Sequence, residues 1–215
     1  MSNTPFLRKT RSVHILGAGL NQDRPAHKAF QDMRGRGYRM VPVHPRDAGS
    51  TIEGMPIVPH PWASEEPELF VIFLSPVRTL ALLRKWVIAG KNIPFIWLQP
   101  GAESDDSIDL LRDANIPHSI GECWVVTSLQ NDIYCENPQP GLPWVLQTTS
   151  IDGDDCSVWR YFTPGSDYLS DEPLEWVGDM MDLQTSNEEI PRYVRSLMQE
   201  GETLMETAQR LAQKP

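Results

Sequence analysis

The N-terminal half of the chain alternates between short apolar runs and stretches with helical periodicity. Five runs have the length and composition of strands, at 12–16, 38–43, 69–74, 95–98 and 117–120. Three intervening stretches, which begin at Pro25, Pro76 and Ser104, place apolar residues on one helical face. Uninterrupted apolar strands are typical of sheets that are covered on both faces. The pattern therefore predicts an α/β fold with a doubly wound, Rossmann-like parallel sheet.

The pattern changes at a turn-rich segment, 137–141, which predicts a boundary between domains 1–136 and 137–215. The second domain is expected to contain a β-hairpin, formed by 144–151 and 156–162 around an Asp-Gly-Asp-Asp turn. It ends in a predicted helix over 187–212, capped by Ser186, with apolar residues at alternating spacings of four and three. This stripe, which Gly201 interrupts, predicts either self-association as a homodimer or packing against the domain's own core.

Composition places the chain in an ordinary class. With 40% hydrophobic and 22% charged residues it is typical of soluble globular proteins. No run approaches the roughly 20 apolar residues of a membrane helix, and none has the form of a secretory signal. The three cysteines are odd in number and lack close pairing, so neither a disulfide framework nor a zinc site is predicted. We expect a cytoplasmic protein without a metal.

The formal net charge is −10. Nucleic-acid binding depends chiefly on many Lys and Arg side chains that neutralise phosphates, so this charge argues against a nucleic-acid partner. An anionic ligand would have to be bound by a local group of cations and backbone N–H donors.

Ligands of doubly wound sheets bind at the carboxyl ends of the strands. Four loops follow the first four predicted strands, and three of them contain an arginine. The turn around Gly17 precedes a helix, so its N–H groups and the helix dipole favour a diphosphate. In the alternative interpretation, its two glycines only permit a tight turn. The predicted ligand contacts are Gly17, Ala18, Gly19, Asn21, Arg24, Pro25, His44, Pro45, Arg46, Ser75, Pro76, Arg78, Gln99 and Gly101.

The sequence of these loops disfavours NAD as the nucleotide. The dinucleotide fingerprint has a third glycine, where this chain has Gln22, and a carboxylate after the second strand to bind the ribose. Here the second strand is followed by His44-Pro45-Arg46. An arginine at this place suits a ribose phosphate, either the 2′-phosphate of NADP or the 3′-phosphate of coenzyme A.

Three motifs in order, at 17–25, 37–45 and 96–101, read GAGLNQDRP, GYRMVPVHP and IWLQPG. Together they resemble the small stand-alone CoA-binding proteins, which are related to the N-terminal domain of the succinyl-CoA ligase α subunit. The resemblance covers roughly 11–134. It implies that the glycine turn, the Pro45-Arg46 loop, the Ser75-Pro76 loop and Gln99 border coenzyme A.

Catalysis is not expected. The related ligases phosphorylate a histidine in a second domain, but no histidine follows His118. Cys123 beside Glu122 is interpreted as a structural cysteine, and no catalytic residue is predicted. The leading hypothesis is therefore non-catalytic binding of coenzyme A or an acyl-CoA, a small nucleotide ligand. Two alternatives remain open: an NADP-dependent oxidoreductase, although the chain has no Tyr-x-x-x-Lys pair, and an interaction protein that has lost its ligand.

Overall fold

The computed structural model describes residues 3–64, 66–149 and 157–213. The chain forms two compact units. The first consists of Met1–Pro42 and Pro67–Gln139, and the second of Val43–Glu66 and Pro140–Pro215. No helix in the described ranges is long and apolar enough to cross a bilayer.

The described strands are β1 Ser12–Leu16, β2 Arg39–Val43, β3 Thr51–Ile52, β4 Met55–Pro56, β5 Leu69–Ile72, β6 Phe95–Leu98, β7 His118–Ser119, β8 Trp144–Thr149, β9 Ser157–Phe162 and β10 Leu174–Asp179. The described helices are α1 Thr4–Lys9, α2 Pro25–Asp32, α3 Pro76–Ile88, α4 Asp105–Asp113, α5 Trp124–Gln130, α6 Met180–Thr185, α7 Glu189–Ser196 and α8 Leu204–Ala212.

The sheet of the first unit confirms the predicted doubly wound fold. Its five parallel strands have the order β2-β1-β5-β6-β7. After β1, the chain forms β2 along one edge of β1 and later forms β5 along its opposite edge. There, Leu16 of β1 pairs with Ile72 of β5. The strand order therefore reverses between β1 and β5, and this switch point is where ligands of such sheets bind.

Local signals account for the helices of this unit. α2 and α3 begin with Pro25 and Pro76, whose fixed φ suits the first helical position. α4 begins after Ser104, which forms a reciprocal capping box with Ser107. The sheet is buried on both faces, as the apolar runs predict: Phe70 and Val71, which point to opposite faces, are both fully buried.

The second unit contains a three-stranded antiparallel sheet of order β10-β8-β9. The predicted hairpin is present, with Trp144 opposite Phe162 and Thr149 opposite Ser157. Its predicted turn lies outside the described residues. Sequence reasoning missed β10, which pairs with β8 and contributes Trp176 and Val177 to the core.

The prediction of one continuous C-terminal helix is wrong. The structure has two helices, α7 and α8, separated by a loop that contains Gly201 with φ +79°. α7 already ends at Ser196, so Gly201 lies within the loop, and the capping box of Thr203 with Glu206 starts the next helix. Ser186 follows α6, which was not predicted, and the N-cap of α7 is Glu188.

The apolar stripe of these two helices packs inside its own unit. Val194 and Ala208 are fully buried in a cluster with Val145, Trp176 and Leu183. Partly buried side chains pack against this cluster, among them Ile190, Leu204 and Leu211. This arrangement matches the alternative in which the stripe completes the core, and self-association stays a prediction.

The segment 43–66 belongs to the second unit through close backbone contacts. A Cβ on Gly54 would lie 2.4 Å from the backbone of Gly165, so only glycine fits there. The Gly54 N–H donates to Asp167 Oδ1 at 2.9 Å, and the Thr51 N–H donates to the Tyr168 carbonyl at 2.9 Å. The second unit is therefore built from two separate parts of the sequence.

Candidate functional site

Three of the four predicted ligand loops meet at the carboxyl edge of the first unit's sheet. The Phe73 N–H, just beyond β5, donates to the carbonyl of Leu16 at 3.0 Å. The Gln99 N–H, just beyond β6, donates to the carbonyl of Ile72 at 3.2 Å. These bonds hold the loops that begin at Gly17, Phe73 and Gln99 side by side at the switch point.

Gly17 shows why the first loop needs glycine. Its φ is +96°, in the region that residues with a side chain rarely adopt. A Cβ there would also lie 3.3 Å from the carbonyl oxygen of Phe73 and 3.3 Å from Leu74 Cδ2. The neighbouring Ala18 is fully buried, so it offers a ligand its backbone and not its side chain.

His27 holds the second glycine of the turn, and sequence reasoning gave it no role. Its Nδ1 lies 2.9 Å from the carbonyl oxygen of Gly19, which can only accept, so Nδ1 carries the hydrogen. The ring lies in the first turn of α2 and is 7% exposed. The signal was a histidine just after the helix-starting Pro25, within one turn of the glycine loop.

Asn21 shapes the passage from this loop into α2. Its side-chain oxygen accepts from the Asp23 N–H at 3.0 Å, and its carbonyl accepts from the Arg24 N–H at 3.1 Å. Asn21 is thus engaged in the turn itself. Arg24 and Pro25 then form the exposed N-cap and first residue of α2.

The N-termini of α2 and α3 lack side-chain caps. Neither Arg24 nor Ser75, their N-cap residues, accepts a hydrogen bond through its side chain, whereas Ser104 caps α4. The first N–H groups of a helix have no partner within the helix. At the switch point, these donors and the positive end of each dipole favour an anion.

Several buried polar groups in this unit lack a partner among the described residues, and Gln99 and Thr79 are two of them. The Gln99 side chain is 4% exposed and its Nε2 donates no hydrogen bond, and the Thr79 hydroxyl in α3 is fully buried and unpaired. A buried polar group without a partner costs about 1 to 3 kcal/mol. Among these groups, Gln99 directly follows β6 at the switch-point edge, where a ligand that accepts a hydrogen bond would satisfy its amide.

The unit's charge also fits an anion. Arg24 and Arg78 are exposed at the starts of α2 and α3, and in the described part of the chain neither pairs with a carboxylate. A cation at a helix N-terminus opposes the dipole, so neither position stabilises its helix. The first unit has 13 Lys and Arg against 11 Asp and Glu, which gives +2, and the second has 6 against 18, which gives −12.

His44, Pro45 and Arg46 directly follow β2 and belong to the second unit. His44 Nδ1 lies 3.1 Å from Asp47 Oδ2. The backbone N–H of His44 donates to the carbonyl of Val58 at 3.1 Å. Pro45 and Arg46 are exposed. Their part in the predicted site stays a prediction from the sequence.

The structure describes two of the three cysteines. Cys123 is half-buried at the N-cap of α5 and Cys135 is buried, and both are free. Within the described ranges, no three His, Cys, Asp or Glu residues are grouped to hold a metal ion.

The sheet order and the loops at its switch point define a Rossmann-like α/β protein. A model of the CoA binding domain family matches residues 11–128, which is more than half of the chain. The chain belongs to this family. The match confirms the resemblance seen in the sequence motifs, and residues 129–215 lie outside it.

Several solved structures are similar to part of this chain. A protein from Thermus thermophilus is 26% identical with a TM-score of 0.53, and the alignment covers 60% of this chain and 98% of that one. A hypothetical protein from Pyrococcus horikoshii is 16% identical with a TM-score of 0.51, covering 59% and 87%. A conserved hypothetical protein from Pyrococcus furiosus is 26% identical with a TM-score of 0.48, covering 54% and 97%.

Proposed function

We propose that this protein binds coenzyme A or an acyl-CoA at the switch point of its first unit and does not catalyse a reaction on it. Membership of the CoA binding domain family supports the ligand class. The single observation that carries the proposal is the buried amide of Gln99, whose Nε2 has no partner among the described residues.

The chemistry of the loops suits the parts of this ligand. In the proposal, the diphosphate accepts hydrogen bonds from the backbone of the Gly17–Gly19 turn and from the first N–H groups of α2. Arg24 and Arg78 supply positive charge, and Ser75, Pro76 and Gly101 border the ligand. The Gln99 amide donates a hydrogen bond to an acceptor on the ligand, which satisfies the group that is otherwise unpaired.

The proposal of a non-catalytic role rests on the sequence. The chain has neither the Tyr-x-x-x-Lys pair of many reductases nor a histidine after His118 that could carry a phosphoryl group. Cys123, the cysteine nearest to Glu122, is the N-cap of a short helix. We infer that the protein holds or presents the coenzyme.

Titration calorimetry with coenzyme A, NADPH and NAD tests the proposal. Coenzyme A is expected to bind more tightly than either dinucleotide, and at 100 times its dissociation constant to stabilise the native state by about 2.7 kcal/mol. Tighter binding of NADPH would favour the oxidoreductase alternative. Absence of binding by all three would favour an interaction protein that has lost its ligand.

A pair of variants then tests the Gln99 contact. Gln99→Met keeps the side-chain volume but removes the amide donor. It should weaken the binding of coenzyme A by about 5- to 10-fold, the effect of one neutral hydrogen bond. Gln130→Met, on an exposed residue at the end of α5, is the matched control and should leave affinity unchanged. Equal affinities for the two variants would remove Gln99 from the site.

A further inference from the structure

The acidic charge of the chain is concentrated in the second unit. This unit has 18 Asp and Glu against 6 Lys and Arg, whereas the first unit is slightly basic. A net charge of this size attracts cationic partners and repels nucleic acid. The family match ends before most of this unit begins, so coenzyme binding does not account for its charge.

A groove in the second unit combines apolar walls with carboxylates, and we name it the acidic groove. It has a volume of about 260 Å³. Its apolar wall contains Pro59, Ala63, Leu174, Trp176, Val177 and Ile190. Its carboxylates are Glu175, Glu188 and Glu189, and His60 completes the lining.

Two of these carboxylates are held in place by neutral donors. Glu175 accepts hydrogen bonds from Thr149 Oγ1 at 2.8 Å, from Ser157 Oγ at 2.9 Å and from the amide of Gln147. Glu188 accepts from the indole Nε1 of Trp176 at 2.9 Å. Their positions therefore do not depend on a cation.

Within the described residues, no Lys or Arg forms a salt bridge with these three carboxylates; Arg192 lies one helical turn beyond Glu188 and Glu189 and is exposed. The salt bridges of the second unit involve other carboxylates, such as Glu172 with Arg160 and Glu202 with Arg210. Glu189 is exposed in the first turn of α7. Three carboxylates without a salt bridge among the described residues thus line the groove beside its apolar side chains.

We propose that the acidic groove docks a basic segment of a partner protein, with an aliphatic side chain against the apolar wall and Lys or Arg side chains at the glutamates. Interfaces of this kind combine an apolar centre with a polar rim, and complementary charge steers the encounter. A small polyamine would meet the charge but would leave the apolar wall uncovered. The segment therefore needs both kinds of side chain.

The test uses the full chain and a defined probe, the fluorescein-labelled peptide Lys-Leu-Lys-Leu-Lys with blocked ends, followed by fluorescence anisotropy at 50 and 150 mM salt. The proposal expects saturable binding that weakens with salt. It also expects about tenfold weaker binding of the Lys-Ser-Lys-Ser-Lys peptide, because that peptide has no aliphatic side chain. Equal binding of the two peptides, or no binding at 50 mM salt, would overturn the proposal.

Matched charge reversals locate the site. Glu189→Lys in the groove should weaken the leucine peptide about tenfold. Glu200→Lys makes the same change in net charge at an exposed position outside the groove lining. This control should weaken binding of the leucine peptide by less than about twofold. Equal losses would show binding by net charge alone and overturn the proposal. The two-peptide comparison on the unaltered chain decides the matter even if a variant folds poorly.

Discussion

The imidazole of His27 donates a hydrogen bond to the carbonyl of Gly19 across 2.9 Å, and both residues are buried. This bond joins the first turn of α2 to the second glycine of the proposed ligand turn. The turn is therefore held from the helix side as well as by its own backbone.

His27→Ala should leave the Gly19 carbonyl without its donor. The expected cost is about 1 to 3 kcal/mol in the free energy of unfolding, together with weaker binding of coenzyme A. Urea denaturation and calorimetry measure the two effects. Lys28→Ala, at the exposed neighbouring position, is the control, and the idea fails if both variants behave alike.

Gly17→Ala should lower the free energy of unfolding by more than backbone strain alone accounts for. The left-handed backbone costs about 1 to 2 kcal/mol for a residue with a Cβ, and here the added atom also meets the Phe73 carbonyl at 3.3 Å. Gly90→Ala is the matched control, because Gly90 has φ +61° with no atom near its Cβ position. We expect a larger loss of unfolding free energy for Gly17→Ala, and loss of coenzyme binding for it alone. Retained binding would contradict the assigned turn.

Arg46 is predicted from the sequence to contact the 3′-phosphate of coenzyme A. Arg46→Ala should then weaken the binding of coenzyme A by about 1.5 to 3 kcal/mol and leave the binding of dephospho-coenzyme A nearly unchanged. Calorimetry with both ligands checks this, with Arg192→Ala as an exposed control. Equal losses for the two ligands would place the arginine elsewhere.

Glu202 makes the second unit sensitive to acid. Hydrogen bonds from Arg210, from the Gln199 N–H and from Thr207 lower the pKa of Glu202 from 4.5 to about 2. Because the folded pKa is the lower one, its contribution to stability is present above pH 4.5 and is lost as the pH falls toward 2. Urea midpoints measured between pH 7 and pH 2.5 should therefore fall less steeply for Glu202→Gln than for the unaltered chain. Parallel profiles would contradict this account.

Removal of residues 187–215 tests the role of the C-terminal helices. Val194 and Ala208 are fully buried in the second unit's core, so their loss should unfold the three-stranded sheet. Circular dichroism of the truncated chain checks this. Light scattering of the full chain tests self-association separately: a monomer at high micromolar concentration would exclude the predicted dimer, whereas a dimer would need a surface beyond the buried stripe.

Much of the first unit could be predicted because its signals are local. The apolar run at Phe95–Leu98 became a strand with those bounds, and Ser104 followed by two aspartates began a helix that ends at Asp113, as expected. The C-terminal helix shows how such patterns fail. A continuous apolar stripe predicted one helix, but α7 ends at Ser196 and the local capping box of Thr203 with Glu206 starts a new helix, which overrides the periodicity.

By itself, the sequence determined the alternating elements of the first unit, its family and the residue types at each loop. These depend on neighbours within a few positions or on motifs that can be read in order. Only the tertiary structure decided that 43–66 joins the second unit and adds to its acidic charge, and that His27 holds Gly19 while Gln99 is left unpaired. The physical reason is that burial and hydrogen bonding depend on which distant segments meet, and a linear pattern does not contain that information.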